Sequence, residues 1–306
     1  MSVKVAKKNK IKKSVASMIF DTCNTIFLAV LTLVTLYPLW HVAMASISNP
    51  AAVMSHLGPI LWPLENLEFG SYGIVFKNPM IIIGYVNTFK YVLLGTLVNM
   101  VMTMLCAYVL SRKQLMARNV LMYLIIFTMY FQGGMIPSFL LVKSLGMLDT
   151  TWALILPGAI STYNMIIMRT AFDNVPPALE ESAMLDGAND LVILIKIMIP
   201  LTMPTIAVMI LFYGVGHWNS WFSATIYLNT REKFPLQLVL REILLANAVD
   251  NNTMASASDS GAGDKIPLAE TVKYATIMVA TIPILLVYPF LQKYFVKGVM
   301  IGAIKG

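Results

Sequence analysis

Few residues of this chain have the types and spacing for bond-making chemistry. Cys23 and Cys106 lie in separate apolar stretches, neither with a second Cys or His at metal-ligand spacing, and His41, His56 and His217 form no cluster. No nucleophile with a matching base falls inside the apolar stretches. A phosphate-binding G-x-x-x-x-G-K-[ST] loop is also missing, since the sequence contains no Gly-Lys pair. What stands out is a polar helix-turn-helix set between apolar runs: Glu181-Ser182-Ala183-Met184-Leu185-Asp186-Gly187, then Ile197-Met198-Ile199-Pro200 after nine residues. Its chemistry is mechanical, a charged corner able to grip something outside a bilayer. Pro176 and Pro177 fit a first helical turn, Asp173 or Asn174 is placed to cap it, and Glu180 and Glu181 suit the positive end of the helix dipole. Gly187 supplies a φ > 0 corner, Asp190 is expected to cap a second helix reaching Lys196, and Pro200 to stop it.

Such a hairpin must be carried by a membrane domain. Hydrophobic residues make up 58% of the 306 and charged ones only 12%, against roughly 25% charged in soluble domains; mean hydropathy is +0.73. At about 20 apolar residues per span, six spans read at about 18–43, 91–110, 120–140, 151–168, 201–228 and 274–292. Gln132-Gly133-Gly134 and Pro137 interrupt the third, Tyr163-Asn164 the fourth. The expectation is an all-α membrane protein with six transmembrane helices. Its parts are a basic tail at 1–17, the spanning domain at 18–292 and a second tail at 293–306. The domain includes the hairpin at about 174–200 and an external loop at about 229–273.

Lys and Arg collect in cytoplasmic loops. With both termini inside, the lysines from Lys4 to Lys13, Arg112, Lys113, Arg118, Arg169, Lys196 and the C-terminal lysines put 14 of the 22 basic residues inside. The hairpin then faces the cytoplasm. The net charge of +7 needs no nucleic acid to explain it, because the basic N-terminal run can hold against anionic lipid. The first apolar run exceeds the ~7–15 residues of a signal-peptide core, so that span is expected to be retained.

The hairpin resembles the EAA signature of permease subunits in ATP-binding-cassette importers: E-A-A, three residues, G, nine residues, I-x-L-P. Glu181, Ala183, Gly187, Ile197 and Pro200 match in type and spacing, with Ser182 in place of the second alanine and Ile199 in place of leucine. Leu185-Asp186-Gly187-Ala188, Phe295-Val296-Lys297-Gly298 and the closing Gly302-Ala303-Ile304-Lys305-Gly306 are similar to the carbohydrate branch, the maltose-type inner membrane components. The resemblance implies a type I importer permease fold with cytoplasmic coupling helices, in which Glu181, Ser182, Ala183, Asp186, Gly187, Ile197 and Pro200 meet ATPase subunits. It implies a second homologous permease subunit, two ATPase subunits that bind the ATP and Mg, and an extracytoplasmic solute-binding protein. This chain would be non-catalytic and hold no cofactor or metal, and it would be a multi-pass component of a bacterial inner membrane. The implied cargo is a sugar, most of all an oligosaccharide, some of that branch handling uronic acids. The alternatives are glycerol phosphate or a polyamine in the same architecture, and more remotely a secondary transporter, for which paired repeats and midplane acids are lacking.

Within the second span, Gly95, Asn99, Thr103 and Ala107 recur every four residues, a packing face of small and hydroxyl residues. Asn99 has a second reading as a pathway residue. Tyr163 and Asn164, and Tyr213, His217, Trp218, Asn219 and Trp221 at the end of the fifth span, mix rings with hydrogen-bonding groups. They suit a sugar-lined pathway or, equally, an interfacial aromatic belt. Outside, Leu236, Val239, Leu240, Ile243 and Leu244 have helical spacing. The polar stretch that follows, with Asp250, Asn251, Asn252 and Asp259, is either a flexible connector or a loop contacting the binding protein.

Overall fold

The structure, a computed structural model, describes residues 14–256, 271–287 and 289, which contain helix, turn and loop and no strand. Its long elements follow from apolar runs whose ends carry local stop signals. Helix α1, Val15–Ser46, extends for 32 residues, roughly 48 Å at ~1.5 Å per residue. Its threonines fold back on their own helix, Thr22 to Met18 O, Thr25 to Asp21 O and Thr32 to Leu28 O, so these hydroxyls need no water. Only Ala45 and Ser46 of α1 are buried by the rest of the chain. Two short helices follow, α2 (Pro50–Ser55) and α3 (Gly70–Lys77).

Helix α4, Pro79–Ser111, is the axis of the fold. It starts well before the expected residue 91, because Asn78 caps it by accepting from Met80 N at 3.0 Å and Pro79 occupies the first turn. Asn87 and Lys90 break the apolar run in sequence, which hid this part of the helix. Two of its early polar side chains have partners in the chain: Asn87 donates to Glu232 O at 2.7 Å and Tyr91 donates to Lys233 O at 2.6 Å.

The third apolar run splits into α5, Arg118–Tyr130, and α6, Met135–Ser144, which meet at 111° across Phe131–Gly134. The fourth splits into α7, Thr151–Ile155, prolonged by a 3-10 turn at Leu156–Gly158, and α8, Thr162–Asp173, with 55° between Thr151–Gly158 and α8. The hairpin comprises α9 (Pro177–Leu185), α10 (Asp190–Ile193), a π-helical turn at Leu194–Met198 and α11 (Ile199–Leu201). Helix α12, Met203–Trp218, leaves it at 88°. The fifth span was expected to run through residue 228, but it stops at Asn219-Ser220, and α13, Trp221–Tyr227, resumes beyond the break. Helix α14, Leu236–Ser256, and α15, Thr271–Val287, complete the described chain.

Two helices, α1 and α4, are long and apolar enough to cross a membrane alone, and up to five spans result if each bent pair counts as one. Helix α15 is apolar but shorter. The core is built on α4, which packs against α12, α8 and α14. Met100, Ala107 and Tyr108 of α4 meet Met165, Met168 and Phe172 of α8 and Ile206 and Met209 of α12.

Candidate functional site

The hairpin is closed by backbone geometry that its sequence dictates. Helix α9 ends at Asp186, after which Gly187 takes φ +81°. Gly187 N donates to Met184 O at 3.0 Å and Ala188 N to Ala183 O at 2.9 Å, the paired closure of a Schellman motif. Ala183 and Ala188 both pack against the core, in keeping with the apolar contact that often accompanies the motif. Small residues at 183 and 188 and glycine at 187 are thus one unit. Because the closure uses residues through 188, the next cap falls on Asn189, whose Oδ1 accepts from Val192 N at 2.9 Å. Asp190 lies one residue inside the helix rather than capping it. Neither Asp173 nor Asn174 caps α9 either; Pro176 holds the cap position with no side-chain bond.

Pro200 does not end the second limb. In α geometry its ring would collide with the carbonyl of Lys196, and the chain widens there into the π-helical turn. The sharp change of direction comes at Thr202, whose amide and hydroxyl both close on Met198 O, at 3.1 and 2.7 Å. Ile197 is half-buried and Pro200 exposed.

Two faces of the hairpin differ in kind. Ile193, Leu194 and Met198 are sunk in the core. Leu185 is 89% exposed, Leu191 and Ile195 60% each, and Met184 41%, while Glu181, Ser182 and Asp186 are also at the surface. An apolar tip ringed by acids on a protruding corner is the form of a contact surface.

Salt bridges fix the hairpin to the end of α4. Arg112, the C-cap of α4, pairs with Glu180 and reaches Asp190 Oδ1 at 3.3 Å. Its guanidinium lies over the Tyr108 ring at 4.1 Å, and Tyr108 OH donates to the same Asp190 oxygen at 3.3 Å. Arg118 and Arg169 both donate to Leu110 O, at 2.8 and 3.0 Å, and both pair with Asp173. In the sequence these arginines bear only on orientation. Arg112 and Glu180 are 68 residues apart, so no local spacing could join them.

A second polar cluster lies between α4, α12 and the break before α8. Asn99 donates its two amide protons to Gly158 O at 2.6 Å and Ala159 O at 3.0 Å. Its Oδ1 must then accept, so His217 donates to it from Nε2 at 2.6 Å. Tyr213 OH accepts from Ser161 N at 3.2 Å and meets Thr103 Oγ1 at 2.7 Å. Asn99 and Thr103 are fully buried, so this cluster holds helices together. The structure thereby joins Asn99, Tyr213 and His217 and leaves the other proposed pathway residues apart. Tyr163 is exposed, and Asn164 is buried beside the Ser161 cap. Trp218 is buried against Phe89 with no partner for its Nε1 among the described residues. Asn219 bonds back to Val215 O, and Trp221 carries the Arg241 guanidinium at 4.2 Å.

On the opposite side Asp149, itself at φ +58°, accepts from the amides of Asn229 and Thr230 at 3.0 and 2.9 Å and from Lys233 Nζ at 2.6 Å. The Lys233 ammonium and the Thr230 donors hold its carboxyl well below the usual carboxylate range. That pin sets the start of the segment leading to α14. Asp250, Asn251 and Asn252 lie on the backbone of α14, which continues past the point where the sequence looked unstructured. Their side chains, and Asp259 altogether, lie outside the described residues.

Apolar helices around a polar helix pin, with an anchored corner projecting from one end, describe a helical membrane protein. The chain belongs to the family of binding-protein-dependent transport system inner membrane components, whose sequence pattern matches residues 99–301. It is 43% identical over 288 residues to the polygalacturonan/rhamnogalacturonan transport system permease protein YtcP of Bacillus subtilis (strain 168), covering 94% of this chain and 99% of that one. It is 40% identical over 294 residues to protein LplC of the same organism, covering 95% and 96%. A solved bacterial ABC transporter involved in import of the acidic polysaccharide alginate contains a chain with a TM-score of 0.80 and 34% identity, covering 94% of this chain and 100% of that one. Proteins of this family are permease components of ABC importers that work with a binding protein and ATPase subunits.

Proposed function

We propose that this chain is one half of the translocation pathway of a bacterial importer of acidic oligosaccharides, with six spans and both termini in the cytoplasm. The observation that carries it is the anchored hairpin with Leu185 exposed at its corner. An apolar residue so exposed on a cytoplasmic projection calls for a protein partner, and its place in an EAA-type sequence supports an ATPase subunit as that partner. ATP and Mg would bind to the two ATPase subunits and not to this chain, which performs no catalysis. A second homologous permease would complete the pathway, and an extracytoplasmic binding protein would deliver cargo to the side bearing Asp149 and α14. Two relatives whose names specify polygalacturonan, rhamnogalacturonan and alginate support a uronate-containing cargo.

Transport follows from two-state linkage. ATP closes the ATPase pair, the hairpins ride with it, and α12, leaving the hairpin at 88°, is swung with them. Each ligand drives the cycle only as far as it binds one state better than the other. The test is reconstitution of the full complex in proteoliposomes with loaded binding protein. Uptake of a galacturonate oligosaccharide that vanadate blocks supports the reading; a permease that co-purifies with no ATPase, or uptake indifferent to vanadate, overturns it.

A further inference from the structure

We infer that Arg112 is a positioning residue through which the hairpin drives α4 directly, a second route of force beside the one into α12. The inference rests on the reading of the hairpin as the ATPase contact. Three observations carry it. First, one guanidinium holds both limbs: Arg112 pairs with Glu180 in the first turn of α9 and with Asp190 in the first turn of α10. The limbs cannot change their mutual angle without breaking one of those pairs. Second, Arg112 caps α4, the helix against which α12, α8 and α14 pack, so whatever moves it moves the axis of the bundle. Third, the joint is sheltered. That shelter belongs to the Glu180 side: the Arg112 side chain is 17% exposed and that of Glu180 20%, whereas Asp190 is 74% exposed, and the guanidinium is laid on Tyr108, which in turn meets Phe172 of α8 edge-on at 6.2 Å. A sheltered, ring-backed ion pair is screened less by solvent than a surface pair and resists sliding.

A surface ornament would not be built this way. The neighbouring Arg118–Asp173–Arg169 group joins α5 and α8 to Leu110 O and touches neither limb of the hairpin, so it fastens the bundle end without bridging the corner. Arg112 alone among these arginines bridges both limbs.

The experiment compares Arg112→Lys, Arg112→Glu, Glu180→Arg and the reciprocal Arg112→Glu/Glu180→Arg pair, the last in an Asp190→Asn background so that the new glutamate meets no acid. Each is reconstituted with its ATPase and binding protein, and transported sugar per ATP hydrolysed is measured beside ATPase co-purification. The single reversals are expected to lower sugar per ATP at least 10-fold while the ATPase still co-purifies. Arg112→Lys, which keeps the charge but not the fork, should fall between them and the parent. The reciprocal pair should recover to within about 3-fold of the Asp190→Asn protein measured beside it. Unchanged sugar per ATP in both reversals overturns the inference. So does loss of assembly in every variant, the reciprocal pair included, because the pair is then a folding element. If the unaltered chain itself captures no ATPase, it is the underlying reading that fails.

Discussion

His217 donates from Nε2 to Asn99 Oδ1 at 2.6 Å directly over Gly95, where a Cβ would overlap the imidazole ring. The glycine is therefore the space in which the histidine sits. This explains why the row at 95, 99, 103 and 107 begins with a residue lacking a side chain and continues with one that anchors the carbonyls of Gly158 and Ala159.

Gly95→Ala should displace the ring and orphan the buried Asn99 oxygen, at about 1–3 kcal/mol. In a His217→Ala background the obstacle is gone, and Gly95→Ala should become nearly neutral. Thermal unfolding of the four proteins in one detergent gives the coupling directly. Additive effects would show that the two residues do not share the space.

The hairpin corner was legible because its logic is local: alanine, glycine and alanine at 183, 187 and 188 close one helix within six residues. Its caps were not, since Asn189 and Asp190 are both good caps, and only the Schellman closure through Ala188 decides between them. The polar faces Asn99/Thr103 and Tyr213/His217 each show four-residue spacing, yet nothing in a single sequence says that they meet. Arg112–Glu180 and Asp149–Lys233, 68 and 84 residues apart, are invisible for the same reason. Gly133-Gly134 showed as an interruption, and Gly134 at φ +86° turns the chain there, but the 111° between α5 and α6 is not encoded in composition.

Asp149 makes a claim about pH. Its carboxyl is held below the ordinary value, so the stabilisation it gives is complete above the unfolded value of about 4 and is lost only as the pH falls further, through the folded value. Between pH 5 and 8 the segment 229–233 should not change. Asn tolerates the left-handed φ of 58°, so Asp149→Asn isolates the charge. Hydrogen exchange at the Asn229 and Thr230 amides should then be roughly 10-fold faster at pH 7, the equivalent of one charge-assisted hydrogen bond. Equal exchange in both proteins would mean that the ion pair with Lys233 contributes nothing.

Leu185 offers the most direct probe of the contact surface. It touches little of its own chain, so Leu185→Asp should leave unfolding of the isolated permease unchanged. If the side chain enters a cleft on the ATPase, burying it is worth about 1.5–3 kcal/mol, and its loss should weaken ATPase retention roughly 10- to 100-fold. Retention at the parental level after salt washing would remove Leu185 from the interface.

Gly187 separates strain from charge. Nothing lies within 4 Å of a Cβ built there, so substitution meets no obstacle and any cost comes from φ +81° alone. A left-handed conformation costs an ordinary L-residue roughly 1–2 kcal/mol and asparagine or aspartate less. Gly187→Asn should therefore keep most of the coupling, Gly187→Ala should lose part of it, and the β-branched Gly187→Val should lose nearly all. Gly187→Asp, with almost the same backbone tolerance as asparagine, adds a charge next to Asp186. If sugar transported per ATP falls in Asp but not in Asn, the defect lies in docking. If it falls in both alike and again in Val, the corner itself must keep its shape for the lever to work. Equal coupling across all four variants would show that the hairpin transmits force without depending on its bend.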